Sequence, residues 1–198
     1  MTSAAAVSGL SFDGETHAYR LGDRRLPSVT QVLGAVGLIE DDWYTEEGRI
    51  RGRYVHKAIM FEEREGLDDS SIDERLAGYV AAYRAFIRDV RPGPCLLLEM
   101  PLADPFLGFA GTPDQFRPLF ADLGLVDTKS GSPADWHPIQ TSAYGHLVGL
   151  QKPAWRHRKR FALYLRKDGL YRLVEHKDRN DFRIFQAALN VAQWKEAR

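Results

Sequence analysis

Two apolar, strand-like runs, Leu107 to Phe120 and Leu123 to Lys129, flank a short turn at Ala121-Asp122-Leu123-Gly124, and each carries one acid. The pair reads as a β-hairpin. Asp114 and Asp127 are thirteen positions apart and their midpoint falls at the start of that turn. A loop of even length then sets them directly opposite, on one face, with Cβ atoms about 5 Å apart. Alternation along the strand adds Lys129 to the same face and turns Thr128 away.

Two carboxylates held so close repel one another, and keeping both ionised requires a cation. An octahedral Mg²⁺ or Mn²⁺ fits, because it takes one or two carboxylates and fills its other positions with water and phosphate oxygens. A protonated lysine cannot ligate; it can orient an attacking water or offset charge on a phosphorane-like transition state. Taken singly, each acid is an ordinary turn or edge residue. A salt-bridged hairpin would account for the trio but not for the segment that follows.

After Gly131 comes a polar connector, Ser132 to Asp135, offering a helix cap, and then a helical run from Trp136 to about Leu150. Gln140 and Tyr144 are four apart, so they share a helical face above the strand end that delivers Lys129. They either contact a substrate there or pack in the core. Upstream, Trp43 to about Glu65 reads as a long helix containing Gly52-Arg53-Tyr54-Val55-His56, with Ile59 and Met60 following. His56 is either a core histidine or a metal ligand, the latter if Gly52 lets the helix approach a sheet closely.

In order, G-x-x-x-H (Gly52, His56), G-T-x-D (Gly111, Asp114), D-x-K-[ST]-G (Asp127, Lys129, Ser130, Gly131) and Q-x-x-x-Y (Gln140, Tyr144) resemble the RecB-type branch of the PD-(D/E)xK nuclease superfamily. The resemblance extends from about Leu26 to about Arg166. The opening His17 to Thr30 is similar to the start of phage-type exonucleases and of the mitochondrial genome maintenance exonuclease. It implies an α+β fold with a restriction-endonuclease-like core, a mixed central β-sheet flanked by helices. It implies a Mg²⁺- or Mn²⁺-dependent deoxyribonuclease of recombination or repair type, most simply an exonuclease, in which Asp114, Asp127 and Lys129 are catalytic. His56, Asp114, Asp127 and the Thr128 carbonyl would hold the metal; Gln140, Tyr144 and Ser130 would meet the substrate or brace the site. DNA is the implied partner, and a single-strand annealing or recombination protein, or further copies of the chain, could join it. A structure-specific endonuclease of the same superfamily, a non-catalytic DNA-binding module, and a metal-free two-carboxylate hydrolase are the rivals.

Glu99 interrupts the apolar run Cys95 to Met100. Burying it unpaired would cost several kcal/mol, so it braces the site, ligates a second metal, or faces water from an edge strand. Cys95 is the only cysteine, which excludes the four-cysteine iron-sulfur cluster of some relatives in this branch, and also a Cys-rich zinc site and a disulfide framework.

Formal net charge is zero, so bulk charge gives nucleic-acid binding no support. Its distribution is uneven: Glu40 to Glu47 and Glu62 to Glu74 are acidic, while Lys152 to Arg160 is basic with Trp155 embedded. Arg156 and Arg158 could neutralise phosphates while Trp155 stacks on a base, or the run could be a solvated loop.

The remaining segments read as scaffold. His17 to Leu21 and Arg24 to Leu26 form a hairpin, Ser28 caps a helix to about Gly37, and Ser71-Ile-Asp-Glu74 is a capping box opening a helix to about Val90. A second hairpin turns at Asp168-Gly169, and a last helix spans about Asp181 to Lys195. One domain over 1–198 is expected: hairpin and short helix in 1–40, helices in 41–90, catalytic sheet and helix in 95–176, final helix in 179–198. No run approaches 18 apolar residues and Met1 to Gly9 lacks a secretory pattern, so a cytoplasmic chain without a membrane span is expected.

Overall fold

The computed structural model describes residues 9–39, 45–156 and 158–198. The expected helix start at Trp43, part of the acidic tract Glu40 to Glu47, the first eight residues, and His157 of the basic run lie outside them.

A mixed five-stranded sheet organises the chain, ordered β10-β9-β8-β7-β4. Its strands are β4 (Leu97–Leu98), β7 (Gln115–Leu119), β8 (Asp122–Lys129), β9 (Lys159–Leu165) and β10 (Tyr171–Glu175). Only the β8–β9 pair is parallel. That connection needs a crossover, and helix α4 (His137–Gln151) supplies it. Side chains alternate between two cores. Phe116 and Leu125 pack with α4, α1 (Val29–Ala35) and α5 (Asp181–Glu196) on one face. Leu119, Val126, Phe161 and Leu163 pack with α2 (Glu46–Glu63) and α3 (Glu74–Val90) on the other. None of the helices among the described residues is long and apolar enough to cross a membrane.

The hairpin forms with the expected pairing but a tighter turn. Leu119 opposes Asp122 and Gln115 opposes Val126, so the loop is Phe120-Ala121 alone, with Phe120 at φ 56. Extending that register by one residue sets Asp114 opposite Asp127. The first run is not one strand, however. It divides into β6 (Phe109–Gly111), which pairs with β5 (Leu102–Asp104), and β7. The break falls at Thr112-Pro113, where Pro113 has no N–H to give a ladder. Likewise the apolar run around Glu99 yields a strand of only two residues, because Glu99 adopts φ 46 and turns the chain.

Other boundaries shift for local reasons. The N-terminal hairpin is a three-stranded meander, β1 (Leu10–Asp13), β2 (Ala18–Leu21) and β3 (Arg24–Leu26); the alternation in Leu10-Ser-Phe12-Asp was the unused signal for β1. Ser28 closes the capping box on α1 with Gln31. The expected box at Ser71 does not form: Ser71 ends a 3₁₀ turn, and Asp73 caps α3 by accepting from the Arg75 N–H. No side chain of Ser132 to Asp135 caps α4, whose first residue follows Trp136 without a side-chain cap bond. The second hairpin and the final helix form as expected.

Candidate metal and catalytic site

The site lies where β7 leaves the sheet and β8 continues past it. Asp114, 7% exposed, replaces the missing ladder partner: its Oδ2 accepts from the Thr128 N–H at 2.6 Å. Its Oδ1 faces His56 Nδ1 at 3.4 Å, and Glu99 Oε1 faces the same nitrogen at 3.4 Å. One ligand atom from each of His56, Glu99 and Asp114 lies within 4.8 Å of the others. Glu99 follows the edge strand, yet its carboxylate turns inward to the cluster.

Asp127 and Lys129 stand beside this cluster on the α4 face. Lys129 Nζ is 2.6 Å from Asp127 Oδ2 and donates to Gln140 Oε1 at 2.7 Å. Gln140 in turn donates from Nε2 to the Tyr144 hydroxyl at 3.2 Å. The four-residue spacing on α4 therefore does what the sequence suggested, aligning an amide and a phenol over the lysine. Asp127 Oδ2 is buried, and the Lys129 ammonium, 2.6 Å away, is the cation that faces it.

Electrostatics follow from this crowding. Burial lifts the Asp127 carboxyl to about 6 against the pull of Lys129. Burial and the neighbouring Asp114 lift Glu99 to about 6 as well. Burial opposes ionisation of Asp114 too, but His56 and Lys129 hold it below the usual carboxylate range. Desolvation would lower His56, and the Asp114 and Glu99 carboxylates overrule it, leaving the imidazole well above its ordinary value. Three acids and two bases thus share one small volume.

Glycines shape the approach. A Cβ on Gly111 would lie 2.7 Å from Tyr144 Cε1, so Tyr144 reaches the site only over a bare backbone. Gly52 differs from expectation: a Cβ there would meet Ser130 Oγ at 3.8 Å, an ordinary contact. It still places α2 close to Ser130, just past the end of β8. Thr112 Oγ1 is 2.7 Å from the Tyr19 hydroxyl, tying the break before Asp114 to the meander.

The basic run does not join the site. β8 and β9 are parallel with Gly124 opposite Lys159, so the run sits at the opposite end of β8 from Lys129, across an α4 about 22 Å long. Trp155 is buried against Phe116, ring centroids 4.9 Å apart, with Lys152 Nζ 4.7 Å from its ring centroid. At 7% exposed it offers no open face to a base. Arg158 donates to the Trp155 and Arg156 carbonyls at 2.9 and 2.6 Å. Burial lowers it to about 10. Arg156 is exposed but shares that distant end.

Several contributors escaped the sequence reading. Trp136 lies under Lys129 at 5.4 Å, and its ring meets His137 edge-on at 4.2 Å. Behind the site, Arg117 Nη1 donates to Glu63 Oε1 at 2.7 Å and to Gln115 Oε1 at 3.0 Å. Tyr83 donates to the same Glu63 oxygen. Glu63 is seven residues after His56 on α2, a spacing that could have flagged it.

No protein-family model and no curated protein sequence matches the chain. Among solved structures, a candidate exonuclease from Eubacterium rectale is similar, with a TM-score of 0.50 and 13% identity over 85% of this chain and 71% of that one. An alkaline exonuclease from Laribacter hongkongensis gives a TM-score of 0.40 and 14% identity over 86% and 87% of the two chains. The fold is α+β and restriction-endonuclease-like.

Proposed function

We propose that the chain is a Mg²⁺- or Mn²⁺-dependent deoxyribonuclease that hydrolyses DNA phosphodiester bonds from strand ends. The observation that carries this reading is the convergence of His56, Glu99 and Asp114 within 4.8 Å beside a buried Asp127–Lys129 pair. A glycosidase-like carboxylate pair would need neither the lysine nor the histidine. The exonuclease mode rests on the order of the four motifs and on the description of the E. rectale neighbour.

The donor set fits a hard divalent ion: carboxylate oxygens from Asp114, Asp127 and Glu99, one imidazole nitrogen from His56, and one carbonyl. That carbonyl is Thr128's. In a strand a residue's N–H and C=O point to the same side, and the Thr128 N–H points to Asp114, opposite Pro113, which has no donor to offer. When bound, such an ion offsets charge on a phosphoryl oxygen and lowers the pKa of the attacking water. The chain's own residues do the positioning. Lys129, fixed by Asp127, Gln140 and Trp136, presents its ammonium to the charge developing on the scissile phosphate without reorganising. Tyr144, buried and held well above its ordinary pKa by burial and by Asp127, stays protonated and fixes Gln140. Ser130 lies between α2 and the end of β8, on the substrate side.

End-labelled linear single- and double-stranded DNA, incubated with Mg²⁺ or Mn²⁺ beside circular controls, tests this. Degradation of linear strands, survival of a closed circular single strand and loss of activity in EDTA are expected. Activity that survives chelation overturns the metal reading, and cleavage of the circle replaces the exonuclease by an endonuclease.

A further inference from the structure

The proposed substrate is a polyanion, yet the basic run that the sequence offered for it lies at the wrong end of the sheet with its arginine at 158 bonded to carbonyls. Arg160 is committed as well, to the Pro138 carbonyl at 2.9 Å and to Asp181 at 2.8 Å. Lys159 pairs with Asp122 at 2.9 Å. The electrostatic footprint must be elsewhere, and α2 carries one. Arg49, Arg53 and Lys57 follow one another at four-residue intervals, which makes a row along the helix that drifts slowly round it. His56, which faces the carboxylates, is three residues past Arg53 and one before Lys57. Both cations therefore lie on the flank of α2 next to the site, within about 100° of His56.

Two properties distinguish this row from ordinary surface charge. Arg53 and Lys57 are exposed, and among the described residues no carboxylate pairs with either; Lys57 Nζ lies over the Phe61 ring, 5.9 Å from its centroid. Like charges four apart on a helix destabilise it, and the acids of the first turn, Glu46 and Glu47, are about 9–10 Å up the axis from Arg53. Secondly, the row has neighbours on the site side. A Cβ on Gly52 would lie 3.8 Å from Ser130 Oγ, just past the end of β8, and the β1–β2 turn lies within range of the Arg53 charge. There His17 is held below its usual pKa, by desolvation first and by the Arg53 charge second.

We propose that Arg53 and Lys57 form the phosphate-binding track along which a nucleic-acid strand enters the site, passing beside His56 and Ser130. This rests on the nuclease reading and adds the path of the strand. The track binds backbone, so it contributes affinity without sequence preference, and its contacts are equal in ground state and transition state.

The test is binding of a fluorescein-labelled single-stranded oligonucleotide in EDTA, followed by anisotropy from low to moderate salt, alongside steady-state cleavage. Each phosphate contact contributes about 0.7 to the slope of log K against log salt on a single strand. Arg53→Ala and Lys57→Ala should each lower the slope by about 0.7, and Arg53→Glu by more. Each should raise KM several-fold and leave kcat within about twofold, while Arg156→Ala leaves slope and KM unchanged. Circular dichroism confirms the fold of each exposed-site variant. If the parent cleaves and binds while the Arg53 and Lys57 variants keep its slope, the track is wrong and the nuclease reading stands. If Arg156→Ala lowers the slope instead, the strand lies at the other end of the sheet and the track is again wrong. A parent that neither binds nor cleaves overturns both.

Discussion

Asp127→Asn should make the metal-free protein more stable while it abolishes cleavage. The substitution keeps the shape of a side chain that is 1% exposed and removes its charge. Burial holds the Asp127 carboxyl at about 6, above the ordinary aspartate value of 3.8. A raised carboxyl pKa means that the folded state resists ionisation, so above both values the parent carries a penalty of about 3 kcal/mol, at about 1.4 kcal/mol per pH unit. Below 3.8 both folded and unfolded chains are protonated and the penalty vanishes. It grows between 3.8 and 6 and is constant above. Part of the gain is returned, because Lys129 loses its ion-pair partner and keeps Gln140 and Trp136. A net gain of about 1–2 kcal/mol corresponds to about 2–8 °C in Tm for a chain of this size. Calorimetry in EDTA at pH 8 should show Asp127→Asn melting above the parent, and the gap closing as pH falls toward 4. Added Mn²⁺ should raise the parent's Tm and move the variant much less. A variant that melts below the parent in EDTA at pH 8, or a gap that persists at pH 4, would refute the reasoning.

Lys129→Ala should lower kcat by at least about 10²-fold while leaving oligonucleotide binding in EDTA within a few-fold, since it removes a pre-oriented charge needed in the transition state; parental kcat would sink the assignment. His56→Ala should raise the Mn²⁺ concentration for half-maximal activity by about tenfold or more, and an unchanged metal titration would return His56 to a packing role. Glu63→Gln leaves Arg117, with a side chain 5% exposed, without its carboxylate, and should cost about 3–5 kcal/mol in urea denaturation; a loss under about 1 kcal/mol would show that the Glu63–Arg117 pair does not secure α2.

What the sequence made legible is local. The opposition of Asp114 and Asp127 depended on turn parity and strand period, both properties of fourteen contiguous residues, and the register followed even though the turn was two residues long. Gln140 and Tyr144 were equally local, one helical turn apart. The basic run misled because cations cluster for two reasons that look identical in one dimension. Arg158 serves the carbonyls of Trp155 and Arg156, and Arg160 those of Pro138 and Asp178, whereas Arg53 and Lys57 serve none among the described residues. Trp155 misled similarly: an aromatic among cations suits base stacking, but the 3₁₀ turn Pro153–Trp155 folds its ring onto Phe116.

His56 shows why the remainder was hidden. Nothing near it in sequence brings it to Asp114; that depends on where α2 lies against the sheet. Glu63 and His56 are seven residues apart on the helix, about 10.5 Å of rise. Their partners on the strand side, Arg117 and Asp114, are three residues apart, about 10 Å of extended chain. The two spans match, so the buried Glu63–Arg117 pair at one end sets the histidine against the acid at the other. A buried ion pair is a poor source of stability compared with apolar packing, and its use here is registration. Sliding α2 by one residue would move His56 by about 1.5 Å and leave Arg117 without its carboxylate. The metal-ligating geometry and the buried pair therefore hold or fail together, which is why a residue about 10 Å behind the site belongs to its construction.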